Sequence, residues 1–184
     1  FYKKTPKNIF LKKEVIFKKA LKNLDHIFFF GKEDMLKSSS FFNIDKSKTS
    51  IFNFGIDTNF WHKEKDKKEE FDIFSIGSDK HRDYSLLKGL NVDYKFLVVT
   101  KLDVKFESEK NFKLIKASKD KPIFSDIELR GIYNQSKIVV VPLKETYQPS
   151  GQTAVLQAMA CGKVVILTKT LGTWDTQYFE HNKN

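Results

Sequence analysis

Cysteine occurs once in the 184 residues, at Cys161. No internal disulfide can form, and a reducing, cytoplasmic compartment is expected. Cys161 lies in an apolar helix-to-strand segment with no His beside it, so it reads as a small buried residue and not as a nucleophile. Arginine is almost as scarce: Arg82 and Arg130 are the two among 33 basic residues. The net charge of +10 is a lysine charge, and lysine is abundant together with Phe, Ile and Asn, the pattern of an AT-rich genome. The lysines are scattered and often alternate with acids, as over 63–70. A solvated surface is the plain reading; a loose peripheral attraction to anionic phospholipid at the inner face of the cell membrane is the sharper one. Nucleic acid ranks last, because the aromatic residues sit in apolar runs rather than interleaved on a basic face. No run approaches the roughly 20 apolar residues that span a bilayer. The four histidines, at 26, 62, 81 and 181, are far apart, and neither Cys-x-x-Cys nor His-x-x-x-His occurs. No metal site is expected from such a set. Walker, Gly-x-Gly-x-x-Gly and Gly-x-Ser-x-Gly patterns are absent as well.

What is present is a 40% hydrophobic chain, enough for a real core. Residues 11–24 place Val15, Ile16, Ala20, Leu21 and Leu24 at helical spacing. A short buried strand is expected over 26–30, ended by Gly31, then a helix over 32–41 opened by Glu33 and Asp34, then a strand over 49–54. The charged run 62–70 is the best linker candidate. Beyond it the pattern predicts a strand at 71–76, a turn at 77–81, a helix at 84–90, and strands at 96–100 and 112–115. Ser125 with Glu128 three residues on forms a capping box for a helix ending near Gln135. A continuous apolar strand follows at 138–141, then a helix capped by Ser150 and running to about Ala160, then a strand at 164–168. Strands alternating with helices predict an α/β fold, a Rossmann-like parallel sheet with helices on both faces. The expected organisation is the closing part of one α/β domain over 1–61, a linker over 62–70, and a Rossmann-like domain over 71–184, truncated at its C-terminus. The start at Phe1 and the polar end His181-Asn182-Lys183-Asn184 read as a piece of a longer protein.

Two segments point to chemistry. In 139–168 a buried strand runs into Pro149-Ser150-Gly151, a small-residue helix, Cys161-Gly162 and a second strand. With Ser150 as N-cap, the amides of Gly151, Gln152 and Thr153 have no partner inside the helix and lie at the positive end of its dipole. Phosphates bind at such helix starts. Gln157 lies about 10 Å further along the axis, at roughly 1.5 Å per residue, close to the span from a diphosphate to its ribose. The plain alternative is an ordinary capped helix. The second segment, Gly77 to Tyr84, also follows a strand and opens a helix. Arg82 there can grip a diphosphate through two hydrogen bonds, or else form a surface salt bridge to Asp79 or Asp83. His81 reads as a surface or packing residue rather than a base.

Together these segments resemble the C-terminal half of a family 4 ("group 1") glycosyltransferase of the two-domain GT-B fold. Phe54-Gly55-Ile56-Asp57-Thr58-Asn59-Phe60-Trp61 is similar to the family's interdomain "Gly-Val-Asp-Thr-x-x-Phe". Gly77 to Arg82-Asp83-Tyr84 resembles the first strand and helix of its donor domain, and Glu128-Leu129 with Tyr133 matches "Glu-Leu-x-x-x-Tyr". Pro149 to Thr153, Leu156 to Lys163, and Gly172-Thr173-Trp174-Asp175 complete the set.

The resemblance implies a retaining, metal-independent transferase with no cofactor. It would use a nucleotide-diphosphate-sugar donor and a glycan or lipid-linked acceptor. It places Gly77, Arg82 and Ser150 in the donor site, with the amides of Gly151, Gln152 and Thr153 at the diphosphate and Lys80 as a stand-in for a second basic residue. Arg82 and Gln157 would be catalytic. The family often carries two glutamates with seven residues between them. Here Gln157 holds the second position, the first falls at Pro149 or Gln148, and Glu145 is nearby but out of register. The base is expected against residues 115–124. The alternative is a catalytically degenerate domain of the same fold that binds nucleotide or glycan.

Overall fold

The computed structural model describes residues 7–88, 90, 93–106, 110–117 and 123–173. The chain forms two compact units that divide between Asn53 and Phe54. In the first, α1 (Lys7–Lys22) precedes β1 (Ile27–Phe29), α2 (Lys32–Phe42) and β2 (Thr49–Ile51). β1 and β2 pair in parallel, so the chain crosses over through α2, as parallel neighbours require. Glu33 and Asp34 open α2, and Asn43 ends it in the left-handed region at φ 53°, where an Asn C-cap is tolerated. The expectation of a buried strand at 26–30 does not hold. Phe28 is 64% exposed, and its ring meets Phe52 edge-on at 6.3 Å.

The second unit holds β3 (Phe71–Ile76), β4 (Phe96–Thr100), β5 (Phe112–Lys116), α3 (Asp126–Asn134), β6 (Ser136–Val141), α4 (Gln152–Ala160) and β7 (Val164–Leu167). The five strands are all parallel in the order β5-β4-β3-β6-β7. Every residue of β4 is buried, which is why four of its five residues, Phe96 to Val99, form a continuous apolar run. On one face the Tyr133 ring of α3 packs edge-on against Phe74, 5.2 Å between centroids. On the other, Tyr84, Leu87 and Val98 form a cluster joined by Val140 and Leu114. Leu102, Val104 and Phe106 of the β4–β5 connection add to it, and Phe106 stacks on Phe112 at 4.2 Å. The chain thus winds outward from β3 in both directions, and the order reverses between β3 and β6. Loops leaving the carboxyl ends of those two strands bound the crevice where ligands of such sheets bind.

Two expectations are corrected here. The helix expected at 84–90 is a single 3-10 turn, Tyr84–Leu87. Its two buried residues stand three apart, the spacing that a 3-10 turn aligns on one side. The run 62–70 is no free linker. Arg130 Nε donates to Glu64 Oε1 at 3.0 Å, the Glu64 N–H donates to Asn134 Oδ1 at 2.8 Å, and Gln135 Nε2 donates to Glu70 Oε1 at 2.9 Å. Trp61 just before it is buried. Residues 54–70 therefore belong to the second unit, and the chain divides at 53/54 instead.

Candidate functional site

The loop after β3 is shaped around one arginine. Gly77 has φ 151°, and a Cβ there would collide with the Arg82 guanidinium. The Tyr84 hydroxyl donates to the Gly77 carbonyl at 2.7 Å and fixes that turn. Asp79 Oδ1 accepts from the His81 N–H at 2.7 Å. The loop is then tied to the chain leaving β6: Arg82 bridges Leu143, the Asp83 N–H donates to the Pro142 carbonyl at 3.0 Å, and the Lys144 N–H donates to His81 O at 2.7 Å.

The loop after β6 meets it from the other side. The cap of α4 is Gly151, at φ 83°, and no side chain caps the helix. This corrects the expectation for Ser150, whose hydroxyl donates instead to Asp79 Oδ2 at 2.8 Å. The helix therefore begins one residue later than expected, and its first-turn amides start at Gln152 and Thr153. A Cβ at Gly151 would lie 2.6 Å from Val141 Cγ1 and 3.0 Å from Arg82 Nη1. The guanidinium thus lies against two bare glycine backbones.

Between the loops is a cleft of about 660 Å³. Of the residues singled out in the sequence, Gly77, Lys80, Arg82, Gln148, Ser150, Gly151, Gln152, Thr153 and Gln157 line it. Glu145 does not. Its carboxylate accepts from the N–H groups of Thr146 and Leu171, at 3.1 and 2.8 Å, and so staples two loops together. Trp174 and Asp175, and residues 118–122 of the segment expected at the base, lie outside the described residues.

Arg82 is 5% exposed, and its Nε and Nη1 are buried without a hydrogen-bond partner. Asp79 faces Nε at 3.7 Å, an ion-pair distance but too long for a hydrogen bond. Burial lowers the arginine's pKa from its ordinary value, against the pull of Tyr84, Asp79 and Tyr133; an arginine so placed is still a cation. His81 Nε2 and Gln152 Nε2 are likewise buried and unpartnered, and both residues line the same cleft. Buried polar atoms are normally satisfied. Three side chains with idle nitrogens around one cleft form a site that wants oxygen acceptors. Sequence reasoning took His81 for a surface or packing residue because no spacing marks it; its backbone is held by Asp79 on one side and Lys144 on the other. Gln157 is 8% exposed, and its Oε1 accepts from the Tyr133 hydroxyl at 3.1 Å.

No protein-family profile and no curated protein matches the chain. Solved structures do match its fold. HepE from Anabaena, in complex with UDP-glucose, superposes with a TM-score of 0.69 at 11% identity, over 96% of this chain and 53% of that one. Sucrose-phosphate synthase from Thermosynechococcus elongatus gives 0.63 at 15%, over 88% and 45%. A glycosyltransferase from Rickettsia africae gives 0.53 at 14%, over 86% and 49%. The chain shares their fold. It spans about half the length of each. Among the described residues, no helix is long and apolar enough to cross a membrane.

Proposed function

We propose that this chain is the donor-binding part of a retaining glycosyltransferase. It takes a sugar from a nucleotide-diphosphate donor and passes it to a glycan or lipid-linked acceptor, in the cytoplasm or at the inner face of the cell membrane. The observation that carries this reading is the set of unpartnered nitrogens of His81, Arg82 and Gln152 around the cleft at the switch point. A diphosphate supplies the oxygen acceptors they lack. Arg82 grips it, the uncapped start of α4 adds its amides and dipole, and Lys80 adds charge from the exposed side. These groups stabilise the diphosphate most as it leaves, when its charge is greatest. The negative charge is met by the protein's own cations, so no metal is assigned a role. Residues 54–173 act as the nucleotide-binding domain, and the first unit as the close of an acceptor-side domain. Nucleotide binding, rather than turnover, is the property ascribed to these 184 residues by themselves.

A thermal-shift titration with UDP, GDP and ADP tests this. One nucleotide is expected to stabilise the protein, by about 2.7 kcal/mol at a hundredfold excess over Kd, and Arg82→Ala to abolish the shift. A cooperative melt indifferent to all three overturns the reading. One observation favours a second reading, a domain that binds nucleotide without turnover. Among the described residues the sole carboxylate lining the cleft, Asp79, is committed to Ser150 and the His81 amide. A large gain of transfer rate on Gln157→Glu would favour it.

A further inference from the structure

One wall of the cleft contains a hydrogen bond whose donor has no role in gripping phosphate. Tyr133 is fully buried, and its hydroxyl donates to Gln157 Oε1 at 3.1 Å. Its ring is held edge-on from two sides, by Phe74 at 5.2 Å and 75° and by Trp61 at 5.9 Å and 85°. A ring locked in this way gives its oxygen one position. Burial also pushes the Tyr133 pKa upward, against the pull of Arg82, so the hydroxyl keeps its proton and remains a donor. A glutamine free to turn offers either end of its amide. This one has its oxygen turned to the Tyr133 hydroxyl, which leaves the nitrogen with both of its N–H groups to offer.

We propose, building on the donor-site reading above, that Tyr133 is a positioning residue. It fixes the amide of Gln157 so that the nitrogen faces the ligand, and the cleft thereby selects an oxygen acceptor at that point, on either the nucleoside or the phosphates. A carboxylate in the same place would select a hydroxyl donor instead. The amide reverses the demand, and the buried tyrosine enforces the reversal.

The test is a double-mutant cycle on the full chain, read as Kd by calorimetry for UDP and for inorganic pyrophosphate. The variants are Tyr133→Phe, Gln157→Met and the pair. Each single change is expected to weaken binding about three- to tenfold, the worth of one hydrogen bond. The pair is expected to be no weaker than Gln157→Met alone. A merely structural role for Tyr133 predicts the contrary, penalties that add in full, and that result overturns the proposal. So does Tyr133→Phe binding as tightly as the parent while Arg82→Ala fails to bind, a result that leaves the donor-site reading standing. Should Tyr133→Phe not fold, parental affinity in Gln157→Met is enough to overturn it. The oxygen acceptor lies on the part of the ligand that UDP and pyrophosphate carry between them: loss with UDP alone places it on the ribose or base, and loss with both probes places it on the phosphates. A parent that binds neither probe removes the donor-site reading and this inference together.

Discussion

Arg82 is the residue on which the site turns, and the glycines beside it set its tolerance. Gly151 combines a left-handed backbone with a Cβ position 2.6 Å from Val141 Cγ1. Gly151→Ala is therefore expected to cost about 1 kcal/mol or more in a denaturant melt and to disturb the guanidinium. Gly55→Ala, with nothing within 4 Å of its Cβ position, serves as a near-neutral control. Cys161 makes a second residue-scale prediction. Burial pushes its thiol pKa from 9.0 up to about 11. The folded protein keeps the thiol protonated where the unfolded chain begins to ionise, so this contribution to stability is intact below about pH 9 and is lost as pH rises toward 11. At pH 8, a thiol reagent is expected to leave the native protein unlabelled and to react once per chain after unfolding. Cys161 was legible in the sequence because it joins an apolar, small-residue helix to an apolar strand. Ser150 was not legible: its capping role looked local, but its true partner, Asp79, lies 71 residues away.

At the scale of elements, what could be read was what neighbours in sequence decide. The capping box of α3 is present as expected, with the Ser125 N–H donating to Glu128 Oε2 at 2.7 Å and Ser125 Oγ accepting from the Glu128 N–H. β3 and β4 run over 71–76 and 96–100, the bounds that the sequence pattern predicts. The failures came where burial depends on distant chain. The phenylalanines around β1 have the composition of a core strand, but among the described residues β1 has one strand neighbour, β2. The charged run 62–70 looked solvated until Arg130 and Asn134 of α3 supplied its partners. Asp72 at the start of β3 carries a pH prediction. The Lys137 ammonium of β6, 2.7 Å away, and the Lys95 N–H hold its carboxyl below its ordinary value of 3.8. Its contribution is present above that value and is lost as pH falls. Asp72→Asn is expected to narrow the gap between melting temperatures at pH 7 and pH 3, whereas an unchanged gap would remove this ion pair from the account.

For the whole molecule, the two units should differ in how easily they open. β4 lies inside the five-stranded sheet with every residue buried, while β1 and β2 form a two-stranded sheet with large apolar side chains in solvent. Local opening follows burial and contact density. In native-state hydrogen exchange, the amides of β4 are expected to be the last to exchange and those of β1 and β2 among the first; equal protection in both units would contradict this. The Ser150–Asp79 bond also bears on the order in which the protein assembles. Its two ends meet only after β3 and β6 have paired across that long separation, and closing so long a loop is a slow, non-local step. The cleft is therefore expected to be completed on the native side of the folding barrier. A nucleotide bound there is expected to slow unfolding in stopped-flow measurements while leaving the refolding rate unchanged. The ligand would prolong the lifetime of the finished state without hastening its formation.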